Sequence, residues 1–244
     1  MKQRLFFTLA TVGLLLLAIS GTLHAKDVLY QYCLAGGIYD EATGNCKVAI
    51  KMEFNYPAWV SDSVAFLWPV LDILLSEQRE YIQRIDQIFT LEESSSYLVF
   101  KYEEFAHGDS LRSVVFTVES YTGGIRPLLV FHSLTFDIHE ERVMTWEDLF
   151  MPDADIIAVL QPLVENDLKS QLEEVANSND ISISGIDEMS DYQIWALDDG
   201  SLVFYFEPYT VTDLTRDGFA VSIPLAELSD IVNPALLLEE QQDE

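Results

Sequence analysis

"SSSYLVFKYEEFAHGDSLRSVVFTVESYTGGIRPLLVFHSLTFDIH", residues 94–139, is the stretch that decides the fold. Its runs are rich in Val, Phe, Tyr and Thr, and its apolar residues recur at alternate positions, the pattern of half-buried strands. The runs 94–105 and 111–121 flank Ala106-His107-Gly108-Asp109, so an antiparallel hairpin is expected. Beyond the adjacent glycines, Val130, His132, Leu134, Phe136 and Ile138 share one strand face, and Ser133, Thr135, Asp137 and His139 share the other.

Working outward, residues 47–56 alternate Val48, Ile50, Met52 and Phe54 with polar neighbours, a further strand ended by Pro57. From Pro69, the set Leu71, Leu74, Leu75, Ile82, Ile85 and Phe89 recurs at three and four residues, with Glu77, Arg79, Glu80 and Arg84 placed mostly facing away. An amphipathic helix of about 20 residues follows, with Pro69 in its first turn. A second helix is expected over 153–176, kinked or divided by Pro162. "NSNDISISG" reads as a loop, Asp198-Asp199-Gly200 as a hairpin turn, and "FAVSIPLAEL" as a last strand. Residues 233–244 read as a frayed acidic tail. Strands and helices come in blocks, which favours an α+β fold, a mainly antiparallel sheet packed with two principal helices.

Residues 1–25 carry Lys2 and Arg4, an apolar run from Leu5 to Ile19 and a cleavage point after Ala25, the layout of a secretory signal peptide. Without it, no apolar stretch of spanning length remains, and the expected location is exported, periplasmic or extracellular. In that compartment Cys33 and Cys46 read as one disulfide stapling an N-terminal hairpin. The chain has 13 basic and 41 acidic residues, a formal net charge of −28. Such a surface repels nucleic acid and anionic lipid and attracts cationic partners, and it also serves solubility or a salty medium.

Chemistry-bearing motifs are missing. There is no HExxH, GxSxG, P-loop, GxGxxG or EF-hand loop. His132 on an apolar strand face reads as a satisfied half-buried histidine before it reads as a ligand, and Asp137 with His139 is too small a set for a metal. Glu140-Glu141, Asp153/Asp155, Glu173-Glu174 and Asp198-Asp199 sit at expected turns or helix ends, where carboxylates cap and solvate. Tyr205, Phe206 and Tyr209 alternate as sheet residues do, with a carbohydrate-stacking platform as the sharper alternative. No catalytic residue, metal or cofactor is assigned, and a non-enzymatic role is expected.

"YTGGIRP" (Tyr121–Pro127), "LTFDI" (Leu134–Ile138), "MTWEDLF" (Met144–Phe150), "VFYFEPYTV" (Val203–Val211) and "VSIPLAEL" (Val221–Leu228) occur in an order that resembles the RsiV-like extracytoplasmic domain of unknown function. That domain type forms the ectodomain of a lysozyme-sensing anti-sigma factor. Residues 48–119 are similar in layout to the non-catalytic domain preceding the peptidoglycan deacetylase PdaC. Tyr121, Gly123, Gly124, Pro127, Asp137, Asp148, Leu149, Phe150 and Tyr209 are the positions the resemblance singles out, as structural or binding residues. Arg126 stands where the family has histidine, and His139–Arg142 replaces its Thr-Gly turn.

The expected division is residues 26–47 (disulfide-closed segment), 48–120 and 121–232, which the resemblance makes PdaC-N-terminal-like and RsiV-like, and 233–244 (tail). It implies an envelope binding module for a cationic protein such as lysozyme, or for a peptidoglycan fragment. With only four residues before the apolar run, an anti-sigma segment is not expected. A hydrolase of cell-wall polymer using paired carboxylates is the alternative. The Gly-Gly is expected to shape the turn between the two halves, with Arg126 pairing a local carboxylate.

Overall fold

Side-chain alternation over residues 96–137 builds the centre of the molecule. The computed structural model describes residues 28–33, 39–40, 45–46, 49–87, 96–123, 125–176, 182–212 and 218–239, with side chains for 51–85, 96–123, 125–173, 182–212 and 218–237. Strand β1 (Val28–Cys33) precedes a short pair, β2 (Tyr39–Asp40) with β3 (Asn45–Cys46), and then β4 (Ala49–Phe54). Helix α1 (Val64–Gln87) leads to β5 (Ser96–His107), β6 (Leu111–Tyr121), β7 (Leu128–Asp137) and β8 (Arg142–Val143).

These strands form a six-stranded sheet in the order β1-β4-β5-β6-β7-β8. Only β4–β5 is parallel, because α1 carries the chain back to the starting edge between them. The expected hairpin is present, β5–β6 running in continuous register from Tyr97↔Tyr121 to His107↔Leu111. The boundary drawn after residue 120 falls at the β6–β7 connection, whose two strands pair from Leu111↔Asp137 to Ser120↔Leu128. Residues 1–25 and the side chains of Cys33 and Cys46, with the expected disulfide, lie outside the described residues.

One sheet face meets α1. Leu98, Phe100, Val114, Phe116 and Phe136 pack there against Phe66, Val70, Leu74 and Tyr81. The helix begins earlier than expected, so Pro69 lies in its second turn. Ser63 explains the start: its hydroxyl accepts the Ala65 N–H at 3.2 Å and its carbonyl accepts from Phe66 and Leu67. The bond that Pro69 cannot donate would go to Ala65, an exposed residue. Glu77 does not face away. It is 6% exposed, and its Oε1 lies 2.9 Å from Nε2 of His132, which is the partner that satisfies this half-buried histidine.

After α2 (Trp146–Leu149) and α3 (Ile156–Ala176), a second sheet forms from β9 (Trp195–Asp198), β10 (Ser201–Phe206) and β11 (Phe219–Pro224), in the order β11-β10-β9. Leu160, Val164, Leu168 and Leu172 of α3 belong to one core with Leu202, Phe204, Val221 and Ile223. Pro162 does not divide α3: it is exposed, as is Ala158, whose carbonyl loses a partner, while the apolar stripe stays buried. The helix starts at Ile156, with Asp155 accepting the Ala158 N–H at 3.3 Å. The β9–β10 turn has φ of 35° at Asp199 and 82° at Gly200, the two positive values that a type I′ hairpin needs.

The other face of the large sheet receives the edge of β9. The outward N–H groups of Trp195 and Leu197 donate to the Ser133 and Ser113 hydroxyls, each at 2.9 Å, and Asp199 N–H donates to the Ala106 carbonyl at 2.9 Å. Ser113 and Thr135 share a hydroxyl bond of 2.8 Å. Ser133 and Thr135, read from the sequence as a polar face, are therefore an internal interface between sheets. Next to them His107 accepts Gly200 N–H on Nδ1 at 3.2 Å, which leaves Nε2–H to donate to the Leu236 carbonyl at 3.0 Å. Leu236 lies in α4 (Pro234–Glu239) and is 5% exposed, so the start of the expected frayed tail is instead docked; residues 240–244 are outside the described residues.

Removing the Ser113 hydroxyl orphans the buried Leu197 N–H and takes a partner from Thr135. Ser113→Ala is expected to lower stability by about 1–3 kcal/mol in urea unfolding. Ser222→Ala on the exposed side of β11 should stay within about 0.5 kcal/mol.

Candidate functional site

The residues singled out from the sequence fall into two groups at opposite ends of β7. At one end, Tyr121 closes β6 with its ring stacked on Tyr97 at 5.7 Å and 29°. The Tyr97 hydroxyl donates to Glu119 Oε1 at 2.6 Å, and Lys101 Nζ lies 3.5 Å from Oε2 of the same carboxylate. Burial first, and the Glu119 carboxylate second, push the Tyr97 phenol up to about 12. Gly123 has φ of 98°, the left-handed region that the expected turn demands of glycine. Gly124 lies outside the described residues.

The turn then presents Ile125, Arg126, Pro127 and Leu128 to solvent, with Ile125 fully exposed and Leu128 at 49%. Arg126 meets an aromatic ring where a local carboxylate was expected. Its Nη1 donates to the Tyr209 hydroxyl, and its guanidinium carbon lies 5.6 Å from the centroid of the Tyr209 ring. The two residues are 83 positions apart in the chain.

Tyr209 is held for this contact by a strained turn. Thr210 donates from its N–H at 3.2 Å and its hydroxyl at 2.7 Å to the Glu207 carbonyl. Pro208 takes the second position and Tyr209, with φ of 68°, the third, where glycine or asparagine is the ordinary choice. Glu207 Oε1 accepts the Phe131 N–H at 3.2 Å and ties the turn to β7. Ser184 N–H donates to Val211 at 3.1 Å, and a Cβ at Gly185 would meet the Thr210 carbonyl at 2.7 Å, so a neighbouring loop supports the turn closely. The tip thus combines one paired cation, a half-exposed tyrosine and two exposed aliphatic side chains.

At the far end of β7 the roles are local. Asp137 Oδ1 accepts the N–H groups of His139 and Glu140, each at 3.0 Å. Asp148 Oδ2 accepts Arg142 Nη1 at 2.7 Å, Thr145 N–H at 2.7 Å and the Thr145 hydroxyl at 3.2 Å, capping α2. Arg142, more than burial opposes it, holds this carboxyl below the usual aspartate value of 3.8. Leu149 and Phe150 are buried, and Phe150 stacks under Trp146 at 4.9 Å. Among the described residues no group of three or more His, Cys, Asp or Glu side chains is placed to hold a metal ion. None of their helices is long and apolar enough to cross a membrane.

Sequence reasoning missed the Glu77–His132 pair and the Ser113–Ser133 interface. Spacing alone could have found Glu77, since it stands between Leu74 and Tyr81 on the buried stripe of α1. Nothing in the sequence signals that serines on a strand face will meet a crossing strand edge.

The α+β fold with these two sheets defines a class before it defines a protein. Residues 147–227 match the family described as a protein of unknown function, DUF3298. The match covers about a third of the chain, includes Asp148–Phe150 and Tyr209, and starts after the Gly-Gly turn. No curated protein matches the chain. A DUF3298 family protein from Pseudomonas aeruginosa is similar in fold, with a TM-score of 0.57 and 16% identity over 86% of this chain and 94% of its own. A DUF3298 family member from Bacteroides fragilis gives a TM-score of 0.57 and 14% identity over 91% and 99% of the two chains.

Two outcomes follow from this geometry. Asp148 is depressed in the folded state, so its contribution is full above the unfolded value of 3.8 and is lost as pH falls through the lower folded value. The stability gap between the native chain and Asp148→Asn, about 1 kcal/mol near neutrality, should close in acid unfolding series below that value. Tyr209→Gly should relieve the turn and raise stability by about 1 kcal/mol in thermal melts, while Tyr209→Ala, still left-handed, should not.

Proposed function

We propose that this chain is an exported, non-catalytic binding module of the cell envelope, of the RsiV-like type with a PdaC-like N-terminal part, and that its partner is a cationic protein. The observation that carries the reading is the charge: 41 acidic against 13 basic residues over a surface whose exposed strand, turn and helix positions repeatedly hold carboxylates. A field of that sign accelerates encounter with a basic partner and disfavours acidic ones. The Arg126–Tyr209 tip adds the apolar and aromatic contact that affinity beyond charge requires.

Hydrolysis of wall polymer has less support. Asp137, Asp148, Asp155 and Asp191 each accept backbone N–H groups, the work of caps, and a carboxylate so engaged is poorly placed to exchange protons with a substrate. Lysozyme is the first partner to try because of the family resemblance, with wall glycan as the second arm.

Calorimetric titration of the purified chain with a c-type lysozyme, beside an unrelated protein of similar positive charge and soluble peptidoglycan fragments, tests the reading. Saturable lysozyme binding that persists at physiological salt and is absent for the control is expected. Equal binding of both proteins, lost as salt rises, would overturn it.

A further inference from the structure

We infer that the outer edge of β5, from Lys101 to Phe105, takes up an extended basic segment of the partner protein as an added strand. The inference rests on the cationic-partner reading and gives it a place. β5 is paired with β6 along its whole length, but β4 accompanies it only from Ser96 to Val99. Past Val99 no described strand lies on that side.

Alternation shows which groups are available. The Phe100 carbonyl accepts Asn55 Nδ2 at 3.0 Å, and the Ala106 carbonyl accepts Asp199 N–H at 2.9 Å. Both therefore point away from β6. The register is unbroken, so Tyr102 and Glu104, two and four residues beyond Phe100, point the same way. Their N–H and C=O groups meet no described partner. Asn55 bounds the slot at one end and the β9–β10 turn at the other, leaving about 17 Å, the length of roughly five residues of strand.

The side chains select the occupant. Lys101, Tyr102, Glu103 and Glu104 are exposed, whereas Ser113 to Phe116, paired with residues 102–105, are buried. Glu104 stands on the α1 side, where Trp59 Nε1 donates to its Oε1 at 2.8 Å. Glu103 stands on the β10 side, near Tyr205, whose phenol burial first and then the Glu103 charge push upward. An added strand would meet a carboxylate on each face, with Tyr102, 37% exposed, available to the stem or charge of a lysine or arginine. A second copy paired over this whole slot would set Glu103 opposite Glu103, which disfavours self-pairing in that register. Strand addition supplies affinity through main-chain bonds and selectivity through alternating side chains.

The test uses a blocked heptapeptide alternating lysine and valine, and a fully N-methylated analogue of the same charge, titrated into the full chain at physiological salt. The parent peptide is expected to bind saturably, slow amide exchange at Tyr102 and Glu104, and weaken at least about tenfold on N-methylation. Tyr102→Pro removes one outward donor at an edge position that tolerates proline, and should cost a similar factor. Folding of that variant is checked by its thermal melt, and Glu103→Lys with Glu104→Lys gives a second variant that should lose the peptide while keeping the main chain.

Equal affinity for both peptides would overturn the inference. So would amides at Tyr102 and Glu104 already protected in the free chain, or no peptide binding at all. Lysozyme that binds the native chain and Tyr102→Pro alike would sink the strand site and leave the cationic-partner reading standing. Peptide uptake without lysozyme binding would keep the site and remove lysozyme as the partner.

Discussion

The rest of the structure depends on how the edge of β9 is satisfied. A strand edge exposes donors at every second residue, and here those of Trp195, Leu197 and Asp199 end on the Ser133 hydroxyl, the Ser113 hydroxyl and the Ala106 carbonyl. A buried N–H without a partner is costly, so these serines set the position at which the small sheet can cross the large one. Once β9 is placed, β10 carries Leu202, Phe204 and Phe206 toward α3, and the Asp199-Gly200 turn brings His107 against α4. Two apolar cores, one beneath α1 and one beneath α3, are thereby joined through a thin polar seam.

β7 distributes the remaining roles. Its Asp137 end is secured by caps and by the part-exposed Arg142–Asp148 pair, whose carboxylate also accepts the Thr145 N–H. Its Leu128 end opens into a turn whose side chains face solvent and whose arginine is held by a tyrosine on a strained backbone. Strain kept where relief by glycine is simple is a reason to look there for contact with a partner. The DUF3298 match spans the Tyr209 turn, and the likeness in fold to two solved structures covers 86% and 91% of the chain.

Period-two alternation determined β5, β6 and β7 from the sequence, because one face of each meets a core and the chain cannot hide a slip of one residue. Asp199-Gly200 determined the β9–β10 hairpin, since both positions need positive φ. The leucine stripes of both helices were legible for the same reason, and so was the carboxylate excess. Helix limits were less so: Ser63 and Asp155 are caps only because their neighbours turn there, and the residues that lose a helical donor to Pro69 and Pro162, Ala65 and Ala158, are both exposed. Tertiary structure alone decided that Ser113, Ser133 and Thr135 lie inside, that Glu77 meets His132, that Arg126 reaches Tyr209, and that among the described strands β4 accompanies β5 only as far as Val99. Each of those facts joins residues far apart in the chain, and local periodicity records which way a side chain points but not what stands opposite it.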